Sequence, residues 1–151
     1  MKRIGLEEAV KKLKKYCAYQ ERCHSEVMLK SKSLGLNYYE CNEALVILIQ
    51  NNFLNEERFA LLYARSKMNQ KKWGPIKISI ALKQKLISPG LIKKAIDNLD
   101  PKDIEANLHA LFKKYQKTLK SPSSKHEKAQ KTVNYLIQKG YTYDLVKRLF
   151  D

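Results

Sequence analysis

The sequence predicts an all-α fold, an elongated and curved array of three tandem three-helix repeats with about nine helices. Three observations lead there. Apolar residues recur at helical spacing along most of the 151 residues, and only 5 Gly and 4 Pro interrupt them. Pro75, Pro89 and Pro101 stand where a helix would begin, the position at which a missing amide donor is harmless. The chain also resembles itself at offsets of 54 and 51 residues.

Each element follows from local signals. Leu6, Val10, Leu13 and Cys17 share a face, predicting a helix over about 6–20. Ser25 and Glu26 begin or reinforce a second over about 23–34, which Gly35 ends in the left-handed conformation. A third runs over about 38–51 with Cys41, Ala44, Leu45 and Leu48 inward. Asn55 caps a fourth, Glu56 and Glu57 complement the positive end of its dipole, and Phe59, Leu62 and Tyr63 lead to about Asn69. Pro75, Pro89 and Pro101 open the fifth, sixth and seventh, the last with Leu108, Leu111, Phe112 and Tyr115 on its buried face. Ser121-Pro122-Ser123-Ser124 is a polar break. An eighth helix runs to about Lys139, Gly140 ends it, and Thr142 caps a ninth that reaches the C-terminus.

The repeat resolves the one ambiguous segment. "IKISI" (Ile76–Ile80) alternates like a strand. Yet "LKQKLISPGLIKKAI" (Leu82–Ile96) lies without a gap over "LIQKGYTYDLVKRLF" (Leu136–Phe150), with Leu82/Leu136, Gln84/Gln138, Lys85/Lys139, Leu91/Leu145 and Lys93/Lys147 identical. The first unit joins through Val27/Ile78/Thr132, Gly35/Leu86/Gly140, Leu36/Ile87/Tyr141 and Cys41/Ile92/Val146. Ser31 departs where the other units have Leu82 and Leu136, which predicts a slightly weaker first core. Ile78, Ala81 and Leu82 keep helical spacing, so "IKISI" is helix. The expected units are 1–54, 55–100 and 101–151. Each is too small to hold much core alone, and stacking shares apolar surface between them.

The charge is one-sided: 30 Lys+Arg against 15 Asp+Glu, net +15. The three expected units carry +3, +6 and +6 in order, so the later two are the expected contact surfaces for a polyanion or an acidic protein. Solvated Lys-rich helix faces are the plainer explanation for part of the excess. Three cysteines without a disulfide pattern fit a reducing, cytoplasmic setting. "MKRIGLEEAVKK" is too charged for a signal peptide, and the longest apolar run, Ala44–Ile49, is far too short to span a membrane.

Catalytic and metal chemistry find little footing. Cys17, Cys23, His24 and Cys41 lack the paired C-x2-C spacing of a zinc site, and buried structural thiols explain them better. His24, His109 and His126 are scattered, and no phosphate-binding glycine loop occurs. The expectation is a protein without enzymatic activity, metal or cofactor. Tyr63, Tyr115, Tyr135 and Tyr141 fall at apolar-face positions and read as core.

Candidate contact residues are Arg65, Lys67, Lys71, Lys72, Trp73 and Lys77 in the second unit and Lys113, Lys114, Lys117 and Lys120 in the third. Lysines would match phosphates or acidic groups, and Trp73 would add rigid apolar area. Trp73 equally suits a plug between two helices, with Gly74 permitting the turn.

"NEERFALLYARSK" (Asn55–Lys67) and "KKWGPIKISIALKQK" (Lys71–Lys85) resemble the RecX family, bacterial regulators of the RecA recombinase. Arg58, Phe59, Ala60, Lys72, Trp73, Gly74, Ile78, Leu82 and Lys85 fit the family pattern. "SEV" (Ser25–Val27) and "YLIQKGY" (Tyr135–Tyr141) resemble its first and third units. The resemblance implies an extended right-handed array of three-helix units, monomeric, lying in the groove of the RecA–single-stranded-DNA filament. It further implies inhibition of ATP hydrolysis and strand exchange. A stand-alone basic helical nucleic-acid-binding protein is the alternative that the charge supports.

Overall fold

The computed structural model describes residues 4–119 and 124–151. The polar break at 121–123 and the candidate contact Lys120 lie outside them. The described residues form nine α-helices and no strand. These are α1 (Leu6–Tyr19), α2 (His24–Ser33), α3 (Tyr38–Gln50), α4 (Glu56–Lys71), α5 (Pro75–Gln84), α6 (Pro89–Asp97), α7 (Pro101–Thr118), α8 (Lys125–Gln138) and α9 (Tyr143–Lys147). "IKISI" lies inside α5. The C-terminus differs from expectation: α9 stops at Lys147 and a single 3-10 turn, Arg148–Phe150, follows.

The ends of the helices are set by local chemistry. Asn37 accepts the Glu40 amide at 2.9 Å while the Glu40 carboxylate takes the Asn37 amide at 3.0 Å, a reciprocal cap. Asn55, Ser88, Asp100, Ser124 and Thr142 each accept an amide from the first turn of the helix they precede. Pro75, Pro89 and Pro101 each occupy the first helical position.

The helices pack as α1–α2–α3, α4–α5–α6 and α7–α8–α9, and three core clusters follow that grouping. Leu13, Val27, Cys41 and Leu48 centre the first, Phe59, Ala64, Ile78 and Leu82 the second, and Leu108, Leu136, Tyr141 and Val146 the third. Neighbouring cores are stitched together. Cys23, from the start of α2, is buried in the second cluster, and Ile104 of α7 touches the second and third. The chain exposes 9877 Å², whereas a compact protein of this mass exposes roughly 7,900 Å². The excess is what stacked small units produce. Ser31 is fully buried in the first unit and returns its hydroxyl to the Val27 carbonyl at 2.7 Å, as its place in the repeat implies.

The apolar face of α5 is narrower than its composition implies. Ile78 and Leu82 are buried, Ala81 is half-buried, and Ile76 and Ile80 face outward. Leu62 of α4 is exposed as well, on the side opposite Ala60 and Ala64. Residues two apart on a helix stand about 200° apart, so a run of alternating isoleucines cannot all reach one core.

The two junctions between units use different physics. Between the second and third, backbone meets backbone. The Gly74 amide donates to the Lys139 carbonyl at 2.8 Å and the Ile76 amide to the Gly140 carbonyl at 2.9 Å. A Cβ on Gly74 would overlap the Gly140 carbonyl and stand 2.6 Å from the Tyr141 amide. A Cβ on Gly140, at φ +101°, would run into Lys77. Between the first and second units, side chains do the work. Ser25 donates its hydroxyl to the Lys85 carbonyl at 2.9 Å, and Lys85 pairs with Glu26 at 3.3 Å. Glu56 accepts the His24 amide at 3.0 Å. Arg58 reaches Glu21 at 2.7 Å and bonds the side chain and carbonyl of Asn52. Position 86, equivalent to Gly35 and Gly140, holds a leucine in the left-handed conformation at φ 64°. Its Cβ bars the glycine-tight approach used at the other junction.

Two stability outcomes follow. Gly74→Ala should lower the unfolding free energy by at least about 2 kcal/mol. Hydrogen exchange should then show Tyr141–Val146 losing protection while Leu13 and Leu48 keep theirs. Arg58→Ala leaves Glu21, one of whose oxygens is already buried without a hydrogen bond, with no counter-charge. A loss of about 2 kcal/mol is expected in denaturant unfolding, against a much smaller loss for Arg65→Ala on the exposed face.

Candidate functional site

The turn between α4 and α5 positions the site. Lys72 ends α4 in the left-handed conformation at φ 55°. The Trp73 amide bonds back to the Lys67 carbonyl at 3.3 Å. The chain therefore doubles back, and the Trp73 indole lands beside the Lys67 side chain. Pro75 restarts the helix at once, and Lys77 in its first turn also comes up to the ring. The Lys72 carbonyl, turned out of α4, accepts the Tyr141 hydroxyl at 2.7 Å. That hydroxyl belongs to a fully buried residue of the third unit, and burial drives its pKa far above the usual phenol range.

The result is a row of alternating cations and rings. The Lys85 ammonium stands 5.7 Å from the Tyr63 ring and the Lys67 ammonium 5.4 Å from the same ring. Lys67 is also 5.1 Å from the Trp73 ring, and Lys77 approaches that ring at 4.7 Å. Each such contact contributes about 0.5–1 kcal/mol at a partly exposed site. They also pin long, mobile side chains in register. Tyr63 and Trp73 are half-buried, each with one side on the second core. Burial raises the Tyr63 pKa, with the nearby Lys85 opposing it. Trp73 therefore joins both roles that its position allows, packing on the second core and holding two ammonium groups over its ring.

The structure brings together only some of the predicted contact residues. Lys67, Trp73 and Lys77 form the centre of the row, and Lys71 is exposed at the adjoining end of α4. Lys72 serves mainly through its backbone. Arg65 is separated from them: it bonds Asn98 at 3.2 Å, at the end of α6. It stands two residues from both Tyr63 and Lys67, hence on the opposite face of α4. Lys113, Lys114 and Lys117 are exposed on α7 and make no contact with the row. Asn107 of that helix donates to the Met68 carbonyl at 3.0 Å, which ties α7 to the end of α4.

Sequence reasoning missed Lys85, Tyr63 and Lys139 as site residues. Tyr63 was assigned to the core, and it is half-exposed. Lys85 and Lys139 are identical in the repeat alignment, and that was the available signal. In both, the backbone carbonyl receives the preceding unit and the ammonium stands over a tyrosine, Tyr63 at 5.7 Å and Tyr135 at 5.6 Å. Tyr135 in turn stacks on Tyr115 at 4.2 Å. The cysteines do not converge: Cys17 and Cys41 lie in the first core and Cys23 in the second. No group of His, Cys, Asp and Glu among the described residues could hold a metal ion. None of the described helices is long and apolar enough to cross a membrane.

Comparison with known proteins shows what the chain is similar to. The family descriptions "RecX, second three-helix domain" and "RecX, third three-helix domain" match residues 55–96 and 103–150. The chain is 29% identical over 133 residues to "Regulatory protein RecX" of Clostridium perfringens strain SM101, covering 85% of this chain and 62% of that protein. It is 30% identical over 133 residues to "Regulatory protein RecX" of Streptococcus uberis, covering 87% of this chain and 50% of that protein. The chain thus spans between half and about three fifths of the length of these curated relatives. The crystal structure of RecX from Lactobacillus salivarius superposes with a TM-score of 0.85 at 26% identity, covering 96% of this chain and 94% of that one.

The single tryptophan makes the row testable directly. Two ammonium groups beside the indole should concentrate anions. Iodide should therefore quench Trp73 fluorescence several-fold more effectively than caesium at low ionic strength. Lys67→Gln with Lys77→Gln should bring the two quenchers level without changing helical circular dichroism.

Proposed function

Because the chain belongs to the RecX family, we propose that it is a non-enzymatic regulator that binds the RecA–single-stranded-DNA filament in its groove and lowers RecA's ATP hydrolysis and strand exchange. It acts as a monomer in the cytoplasm, without a cofactor. The observation that carries this reading is the Lys85–Tyr63–Lys67–Trp73–Lys77 row. Ammonium groups held at fixed spacing suit a line of phosphates or carboxylates, and ring edges between them suit bases or apolar side chains. Two features of the molecule support a long contact rather than a pocket. The array is extended, and it carries further exposed cations on α7 at Lys113, Lys114 and Lys117.

The filament reading and a stand-alone nucleic-acid-binding role separate by salt and by partner. Charge-driven binding to bare DNA falls steeply as salt rises, whereas a filament also offers protein surface. The protein should slow RecA's DNA-dependent ATPase at substoichiometric to near-stoichiometric amounts. Reversing charge at Lys67, Lys71 and Lys77 should weaken that inhibition roughly tenfold or more, three phosphate-type contacts being lost. Lys72 is left intact in this variant, because its backbone holds the junction. An unchanged ATPase, together with tight binding to bare single-stranded DNA at physiological salt, would replace the filament reading with the stand-alone one.

A further inference from the structure

The second unit carries an apolar groove that neither the core nor the cation–ring row explains. It lies between α5 and α6 and encloses about 780 Å³. Ile80, Leu86, Ile92 and Ile96 form its apolar lining, and Lys83 from α5 and Lys93 from α6 flank it on its two sides. Ile80 is 53% exposed and Leu86 77%.

Leu86 is the informative residue. It occupies the position at which the other two units have glycine, and it holds φ 64°, a conformation that disfavours any side chain with a Cβ. The side chain gains little burial in return. A strained backbone and an exposed leucine are both unfavourable to the free protein, and glycine would relieve both. The groove-lining role is what remains for that side chain.

The rim selects among occupants. Lys83 is exposed and makes no ion pair among the described residues. Lys93 is paired only with Asp97, on the surface of the same helix, a contact of small worth. Asp97 also lines the groove, so the α6 flank carries the Lys93–Asp97 pair and the α5 flank the unpaired Lys83, and the lining keeps a net positive charge around an apolar floor. A second copy of this chain, with its own net charge of +15, is electrostatically disfavoured there. The groove, at about 780 Å³, has ample room for the two or three large aliphatic side chains that two turns of an amphipathic helix present on one face.

We propose that the α5–α6 groove docks an amphipathic helix of a protein partner, with leucine-type residues at i, i+3 or i+4 and i+7 and acidic residues on its flanks. This surface stands independently of the cation–ring row and of the filament reading.

The test uses three fluorescein-labelled synthetic peptides of two to three turns: one with leucines at that spacing and glutamate flanks, one with the same leucines and lysine flanks, and one with the acidic composition scrambled. Anisotropy titration at physiological salt should show the acidic helix bound at least tenfold tighter than either control. Leu86→Gly should weaken it about tenfold while the melting temperature stays at or above wild type, since the strain is relieved. Ile80→Ser, a second lining variant, should weaken it as well. Equal binding of the three peptides, or undiminished binding by Leu86→Gly, would overturn the proposal. So would a concentration-dependent dimer abolished by Leu86→Gly in sedimentation, which would assign the groove to self-association. Binding to anionic vesicles lost in the same variant would assign it to a lipid surface instead.

Discussion

Where Gly74 meets Gly140, two buried backbones come together with no room for a side chain at either position, and two amide–carbonyl bonds close the gap. The contact does more than join the second unit to the third. Gly74 directly follows Trp73, and the Tyr141 hydroxyl beside Gly140 holds the Lys72 carbonyl. The turn that presents Trp73 between Lys67 and Lys77 is thus braced from the third unit. A left-handed lysine and a half-exposed tryptophan would be a weak anchor alone. Braced by a buried phenol, they become a fixed platform.

The junction on the other side of the second unit is built from different material. Ser25, Glu26, Glu21, Glu56, Arg58 and Lys85 meet there through side chains. Such contacts tolerate a Cβ at position 86, and they place charged groups where the tighter junction places amides. Partly buried charge pairs weaken when one partner is lost, because the other keeps its desolvation penalty. The array therefore joins a close, largely uncharged seam on one side of its central unit to a polar seam on the other. Lys85 belongs to both the polar seam and the cation–ring row, so the docking of the first unit also orders one end of the row.

The central unit presents two surfaces of contrasting chemistry. One alternates ammonium groups with aromatic rings and suits polyanions. The other is an apolar trough flanked by Lys83 and Lys93. Both begin from the same short stretch, α5 and the turns on either side of it. A helix whose isoleucines cannot all point inward leaves Ile76 and Ile80 outside, and the one lysine between them, Lys77, stands over the Trp73 ring. The exposed apolar residues here follow from helix geometry, while the strained Leu86 does not.

Much of the fold was legible in the sequence because its determinants are local. Capping residues, Pro at the first helical position and apolar spacing act within a turn or two, so they located the helices and the "IKISI" segment. The offset repeat identified the buried positions, down to Ser31, and aligned Leu86 with Gly35 and Gly140, all three of which are left-handed in the structure. Arg65 and Lys67, grouped as contacts in the sequence, stand two residues apart on α4 and so face apart. Tertiary structure alone decided the rest. Lys85 reached the Tyr63 ring only when the end of α5 packed against α4 within the second unit. The Tyr141 hydroxyl found the Lys72 carbonyl across 69 residues. Periodicity reports which face of a helix is apolar. It carries no information on which cation will stand over which ring, because that depends on how α4, α5 and the turn between them pack within the second unit, a turn that the Gly74–Gly140 contact braces.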